Sequence, residues 1–257
     1  MAFVETDFHS PTRHNPDLHK IAIRELCALG PGHVLDLPSG PGYLVRDLQK
    51  HGFTGVAGEI LPELHCFEDV HYAPVDMTLP FPFEDNTFDY VVSIEGIEHI
   101  TDPFSFLAEV RRVLKPDGHI FLTTPNIGCL ESRWHFLLSG FHQMEAGIIP
   151  ADTPNICFEH INPMTLSQLV FACGSQGLEV ERLLTSRYRK GARWLEFLLW
   201  PLIRLYVGRD CSKRSDSPER AVANARLKKM LLSPENLLGL HTIIMARPAA
   251  IHPAQHS

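Results

Sequence analysis

The stretch His33-Val-Leu-Asp-Leu-Pro-Ser-Gly-Pro-Gly42 constrains the fold of this chain more than any other. An apolar run carrying Asp36 passes straight into two glycines and then into a helix-like pattern, the order that builds the first turn of a nucleotide-type pocket. Gly40 and Gly42 let the backbone approach a ligand closely. The helix start that follows offers free N–H groups, and Asp36 puts a carboxylate where the strand ends. The next strand-like run, 54 to 58, leads into Glu59, where a carboxylate would accept hydrogen bonds from ribose hydroxyls. Together these residues predict a nucleoside cofactor.

The rest of the chain reads as one α/β domain. With 257 residues, 44% of them hydrophobic and 21% charged, it is long enough for one large core, and a single domain over 1–257 with an insertion is expected. A net charge of -7 argues against broad electrostatic binding of nucleic acid. Cysteines 27, 66, 129, 157, 173 and 211 form no C-x-x-C pair, and the opening residues lack a basic and apolar signal sequence. Reduced thiols and a cytoplasmic location are the expectation. No apolar run approaches the roughly 20 residues that would span a bilayer.

Apolar runs at 34–37, 54–58, 70–75, 88–94 and 119–124 read as strands, most of them separated by helical patterns. That alternation predicts a doubly wound, mostly parallel sheet with helices on both faces. Asn15 and Pro16 open a helix stopped by Gly30, with Leu18, Ile21, Ala22, Leu26 and Leu29 on one face. Asp102 and Pro103 open a second, which carries Phe106, Val110, Val113 and Leu114 and ends at Lys115-Pro116-Asp117-Gly118. Further on, helices are expected at 130–138 and 165–173, a strand at 178–184, and a final strand at 241–246. The interval 186–238 exceeds any hairpin loop and reads as a helical insertion with structure of its own.

VLDLPSGPG at 34–42, Glu59, Asp76, FEDNTFDYVVSIEGIEHI at 83–100, VLKPDGHIFLTTPN at 113–126 and HTIIMA at 241–246, taken as an ordered set, resemble the class I S-adenosylmethionine-dependent methyltransferases. Within that superfamily the chain is most similar to bacterial enzymes related to the ubiquinone-biosynthesis O-methyltransferases and to relatives associated with cell-envelope saccharides. The resemblance implies a seven-stranded Rossmann-like sheet and S-adenosylmethionine as cofactor. Asp36, Gly40 and Gly42 would then hold its methionine part and Glu59 its ribose. Asp76 would bind the adenine amino group, Met77 would meet the ring edge, and the segment from Ser93 to Glu95 would close the pocket. A plainer reading makes Asp76 a turn residue before Thr78. Pro38-Ser39 departs from the Gly-Cys or Gly-Ser of many members and removes an N–H from the loop. Val45 stands where a nicotinamide-binding chain would have its third glycine, which argues against that cofactor.

Glu95-Gly-Ile-Glu98-His99 resembles the Glu-x-x-Glu-His of ubiquinone-pathway O-methyltransferases and of small-RNA 2′-O-methyltransferases, where these groups and a later histidine bind a divalent ion. The resemblance makes Glu95, Glu98 and His99 the catalytic candidates. With His160 they form a metal set suited to Mg²⁺, Mn²⁺, Fe²⁺ or Zn²⁺. The alternative is a metal-free polar site in which His99 packs, orients substrate or acts as general base. His9, His14 and His19 are read as exposed residues or as part of a lid over the cofactor.

From 187 to 214 the chain carries Arg187, Arg189, Lys190, Arg193, Arg204, Arg209, Lys213 and Arg214 against only Glu196 and Asp210. Inside this basic frame lies an apolar, aromatic helical stretch, 194–207, read as bent at Pro201 and stopped by Gly208. Two readings stand side by side, a peripheral membrane contact through 191–208 and a helix packed on the sheet or in a dimer. The function expected is methyl transfer to an oxygen of a small or lipid-linked acceptor, a saccharide or phenolic hydroxyl. The alternatives are an RNA 2′-O-methyltransferase and a non-catalytic S-adenosylmethionine-binding scaffold.

Overall fold

A computed structural model describes residues 15–144, 159–190 and 193–249. Helix α1 (Pro16–Leu29) precedes strand β1 (His33–Asp36), and helix α2 (Tyr43–Gln49) precedes β2 (Thr54–Glu59). Strands β3 (His71–Pro74) and β4 (Phe88–Ile94) follow without a helix between them. Helix α3 (Pro103–Val113) then leads to β5 (Leu114–Pro125), and helices α4 (Leu130–Ser139) and α5 (Leu166–Ser175) lead to β6 (Leu178–Leu184). Three helices, α6 (Arg193–Lys213), α7 (Pro218–Leu231) and α8 (Pro234–Leu238), fill the interval before β7 (His241–Pro248).

The seven strands form one sheet in the order β3-β2-β1-β4-β5-β7-β6. Strands β1 to β5 pair in parallel, and β7 runs antiparallel to both its neighbours, β5 and β6. Alternation along the central strands divides the core between the two faces. Leu35, Val91, Leu122 and Ile244 join Phe106, Val110 and Leu169 from α3 and α5 on one face. Val34, Tyr90, Val92, Phe121 and Ile243 meet Leu18, Leu26, Leu44 and Leu48 from α1 and α2 on the other.

Local chemistry sets the element ends. The Asn15 side chain accepts the Leu18 N–H at the start of α1, and Gly30, at φ 111°, closes it. Asp102 caps α3 through the N–H groups of Phe104 and Ser105. That helix ends at Val113, and Leu114 opens β5 opposite Phe88, with pairing resuming at His119 opposite Tyr90. Lys115-Pro116-Asp117-Gly118 is therefore an irregularity within the strand and not the end of the helix. Lys115 Nζ fixes it by reaching both oxygens of Asp89, at 2.8 and 2.9 Å.

A second departure concerns Gly208. Helix α6 runs through Pro201 and Gly208 to Lys213, because α7 packs along it there: a Cβ at Gly208 would sit 3.3 Å from Lys228 Nζ. A third concerns Val45. It is buried with Ala57 and Val70, and the small residue at this helix–strand crossing is Gly55 on β2, where an added Cβ would lie 3.1 Å from Val45 Cγ1. Tight packing is kept with the glycine on the strand, so Val45 alone does not discriminate between cofactors.

Candidate active site

The loops after β1, β2 and β4 meet where the strand order reverses, the place at which open α/β sheets bind ligands. The β1 loop turns tightly, with the Ser39 N–H bonded to Gly58 O and the Gly42 N–H to Ser39 O. Gly40 and Gly42 have φ of 51° and 89°, and Gly42 is the N-cap of α2. Among the described residues, nothing beyond its chain neighbours would lie within 4 Å of a Cβ at Gly40, so its side of the loop has room for a ligand.

Asp36 is 2% exposed, and burial, reinforced by the Glu59 carboxylate, pushes its pKa well up. Glu59 is held by three backbone N–H groups. Gly40 donates to Oε2 at 2.9 Å, while Ile60 and Leu61 donate to Oε1 at 2.9 and 3.3 Å. Burial raises its pKa and these donors pull it part of the way back. A pair of buried carboxylates is relieved when a cationic ligand settles beside it, because an adjacent positive charge favours ionised carboxyl groups.

Asp76 forms the turn that the plainer reading assigned to it: Oδ1 accepts both the N–H and the hydroxyl of Thr78, at 2.8 and 2.7 Å. Met77 and Ser93 flank a residue that sequence reasoning passed over, Gly96. A Cβ there would collide with Pro38 Cδ and stand 3.1 Å from both Met77 Cε and Ser93 Oγ. Ser93 is fully buried and its hydroxyl has no hydrogen-bond partner among the described residues. Gly96 thus lets the β1, β3 and β4 loops close on one another.

Beyond β4, a short turn at Ile97–His99 carries the second cluster. One ligand atom from each of Glu98, His99 and His160 can be chosen so that all three lie within 4.8 Å of one another. His99 Nδ1 lies 3.0 Å from Glu159 O and His160 Nδ1 lies 2.6 Å from Met144 O. Each ring therefore donates through Nδ1, so that in the neutral form Nε2 carries the lone pair, the arrangement that prepares histidine as a ligand or base. Burial also lowers the pKa of His99, favouring the neutral ring. Glu98 is fully buried, and its carboxyl pKa is pushed up to about 8, chiefly by burial. Its own backbone N–H and then Thr124 partly offset this, though neither Glu98 oxygen reaches full hydrogen-bond geometry with any described residue. A buried carboxyl that no described residue fully satisfies, beside two imidazoles, fits a divalent cation.

Glu95, the expected fourth ligand, is engaged elsewhere. Its Oε1 lies 3.2 Å from His241 Nε2, and its N–H is bonded to Thr123 Oγ1 at 3.0 Å. Its φ is 51°, a left-handed conformation that L side chains rarely adopt. Burial pushes its pKa up, but His241 and then the Asn15 side chain outweigh this and leave it below the usual range. His241 is itself 8% exposed, with Ser186 Oγ 2.6 Å from its Nδ1. Ser186, His241 and Glu95 form one hydrogen-bonded chain at the edge of the cluster. Sequence reasoning read His241 only as the start of the last strand, and nothing local marks it otherwise. His19 lies on α1; His9 and His14 are outside the described residues.

Comparison with known proteins agrees with this architecture. Residues 16–183 match the methyltransferase domain family. A ubiquinone biosynthesis O-methyltransferase of Neisseria meningitidis is 26% identical over 144 residues, covering 48% of this chain and 60% of that protein. A ubiquinone/menaquinone biosynthesis C-methyltransferase of Citrifermentans bemidjiense is 28% identical over 136 residues, or 46% of this chain and 57% of the relative. The chain thus spans less than two thirds of these curated relatives. Among solved structures, the Burkholderia thailandensis 1,6-didemethyltoxoflavin-N1-methyltransferase, with S-adenosylhomocysteine bound, superposes with a TM-score of 0.54 at 14% identity, covering 93% of this chain and 82% of that one. The parallel sheet with its antiparallel seventh strand, the glycine turn between two buried acids and the matched domain leave one assignment: the chain belongs to the class I S-adenosylmethionine-dependent methyltransferases.

Proposed function

We propose that this chain moves the methyl group of S-adenosylmethionine to an oxygen of a small or lipid-linked acceptor, a saccharide or phenolic hydroxyl. The family by itself does not choose the acceptor atom, since the three relatives just described are named for O-, C- and N-methylation. The observation that carries the choice of oxygen is the Glu98, His99 and His160 cluster beside the β4 loop. An alcohol is a poor nucleophile at neutral pH and must lose its proton as the methyl group arrives, whereas activated carbon and amine acceptors need less help.

In this reading Asp36 and Glu59 hold the cationic donor, and Gly40 and Gly42 admit it to the turn. Asp76 and Met77 border the adenine, and Ser93 lies at the pocket floor. His99, neutral and anchored through Nδ1, is placed to take the acceptor's proton at Nε2. Glu95, fixed by His241, orients the acceptor from the other side. A divalent cation held by Glu98, His99 and His160 would take the Nε2 lone pair of His99 and replace it in this role, supplying Lewis-acid lowering of the hydroxyl pKa.

The test is incubation of the protein with methyl-labelled donor and fractionated cell extract, with identification of the product that takes the label. Label on an oxygen, lost with chelator and in His99→Ala and His160→Ala, is the expected result. Label on carbon or nitrogen, or full turnover after chelation, overturns the oxygen or the metal reading respectively.

A further inference from the structure

Helix α6 is apolar on two opposite faces. Leu199, Trp200 and Ile203 turn inward and pack with Leu130, Leu237 and Leu238 of α4 and α8. On the other side, Trp194, Phe197, Leu198, Leu202, Leu205 and Tyr206 are 54–86% exposed, with Phe197 at the upper limit. Their spacing of three and four residues puts them on one stripe of a 3.6-residue helix, so the exposure belongs to a face and not to scattered side chains. A helix that is apolar all round is normally covered on every side, and a contiguous exposed stripe of this kind marks an interaction surface.

Charge identifies the occupant. Lys190, Arg204, Arg209 and Lys213 are exposed around the stripe and make no ion pair among the described residues, although the chain as a whole carries -7. Arg209 and Lys213 continue the stripe itself, four and eight residues after Leu205. A two-fold contact between copies through this stripe would bring two equally basic borders together and neutralise neither. An anionic surface satisfies both the apolar stripe and its basic border, and the rings of Trp194 and Tyr206 suit the boundary between headgroups and acyl chains. No described helix is long and apolar enough to cross a membrane, so this face would lie on a bilayer and not in it.

We infer that the outer face of α6 seats the protein on an anionic lipid bilayer. The adjoining helix α4 shares the inner cluster with α6, and its Trp134, Leu137 and Leu138 are exposed on the side that begins with Leu130. The chain after α4 reaches Met144, whose carbonyl holds His160. Helix α4 thus links the docked surface, along the chain, to the residue that holds His160.

The experiment uses the full chain with vesicles of phosphatidylcholine alone or enriched in phosphatidylglycerol, followed by co-sedimentation and tryptophan emission with brominated lipid as quencher. Expected are binding only to the anionic vesicles, weakening with salt, and quenching of emission. Replacing Arg204 and Arg209 by Glu should reduce vesicle affinity by on the order of tenfold or more. Phe197→Ser with Leu205→Ser should reduce it likewise, while helix content and cofactor binding are unchanged. Absence of wild-type binding to anionic vesicles overturns the inference, as does undiminished binding of both variants. A concentration-dependent dimer that Phe197→Ser with Leu205→Ser converts to monomer, without vesicle binding, assigns the face to a second copy and also overturns it.

Discussion

Asp36 and Glu59 are buried side by side, and their raised pKa values imply that ligand charge and protonation are linked. A donor carrying ammonium and sulfonium groups favours the ionised carboxylates, so its binding should release protons and strengthen as pH rises. In Asp36→Asn, calorimetry should find affinity for S-adenosylmethionine lowered about ten- to hundredfold, the worth of one charge-assisted hydrogen bond, with a flatter pH dependence. Glu98 gives a second pH effect. Its folded-state pKa of about 8 lies above the unfolded value of 4.5, so the folded state holds the proton more tightly and stability from this group falls as pH rises between those values. Glu98→Gln removes that slope. In chelator, thermal unfolding should show the variant gaining on the parent by several degrees between pH 5.5 and pH 8. Asp36, Glu59 and Glu98 were legible in the sequence because each sits at a fixed offset from a recognisable strand end. Gly96 and His241 were not: the first matters only for what three loops place around it, and the second acquires its role from Glu95, a partner remote in sequence.

At the scale of elements, the strands were legible because buried parallel strands are continuous apolar runs, and the helix starts because Asn15, Asp102 and Thr165 are caps with oxygen acceptors. The two misread boundaries share a cause. Lys115-Pro116-Asp117-Gly118 and Gly208 carry strong local signals for a stop, and in each case tertiary contacts, Lys115 with Asp89 and α6 with α7, override them. The tie between the sheet and the last helix is likewise invisible locally. Buried Asn126, at the end of β5, donates through Nδ2 to the carbonyls of Asn236 and Gly239 at 2.9 and 3.0 Å and accepts the Gly128 N–H at 3.0 Å. Asn126→Ala leaves those groups buried and unpaired. Denaturant unfolding should show a loss of about 2–4 kcal/mol.

Across the whole molecule, the sheet divides its duties. The β1–β3 side and the loop after β4 carry the candidate cofactor contacts, and α4, α6 and α8 gather around a separate small cluster on the other side of β5. A ligand that binds only the folded chain stabilises all of it, however, because one continuous sheet joins the two sides. At a hundredfold excess over its dissociation constant, S-adenosylhomocysteine should add about 2.7 kcal/mol, a rise of roughly 5–10 °C in melting temperature by differential scanning fluorimetry. No shift with either the donor or its demethylated product would remove the basis for every cofactor contact assigned above. The fold class was legible at this scale because strand and helix patterns alternate in the right order. The pairing of Glu95 with His241 was not, since it depends on β7 returning beside β5.

The crossing of α2 over β2 carries a lesson of its own. There the valine stands on the helix and the glycine on the strand, the reverse of the usual dinucleotide fingerprint. The seam requires one partner without a side chain, and geometry is indifferent to which partner that is. Steric allowance can therefore migrate across such a contact, and a fingerprint written for one side alone will overlook chains that draw the same backbones together from the other.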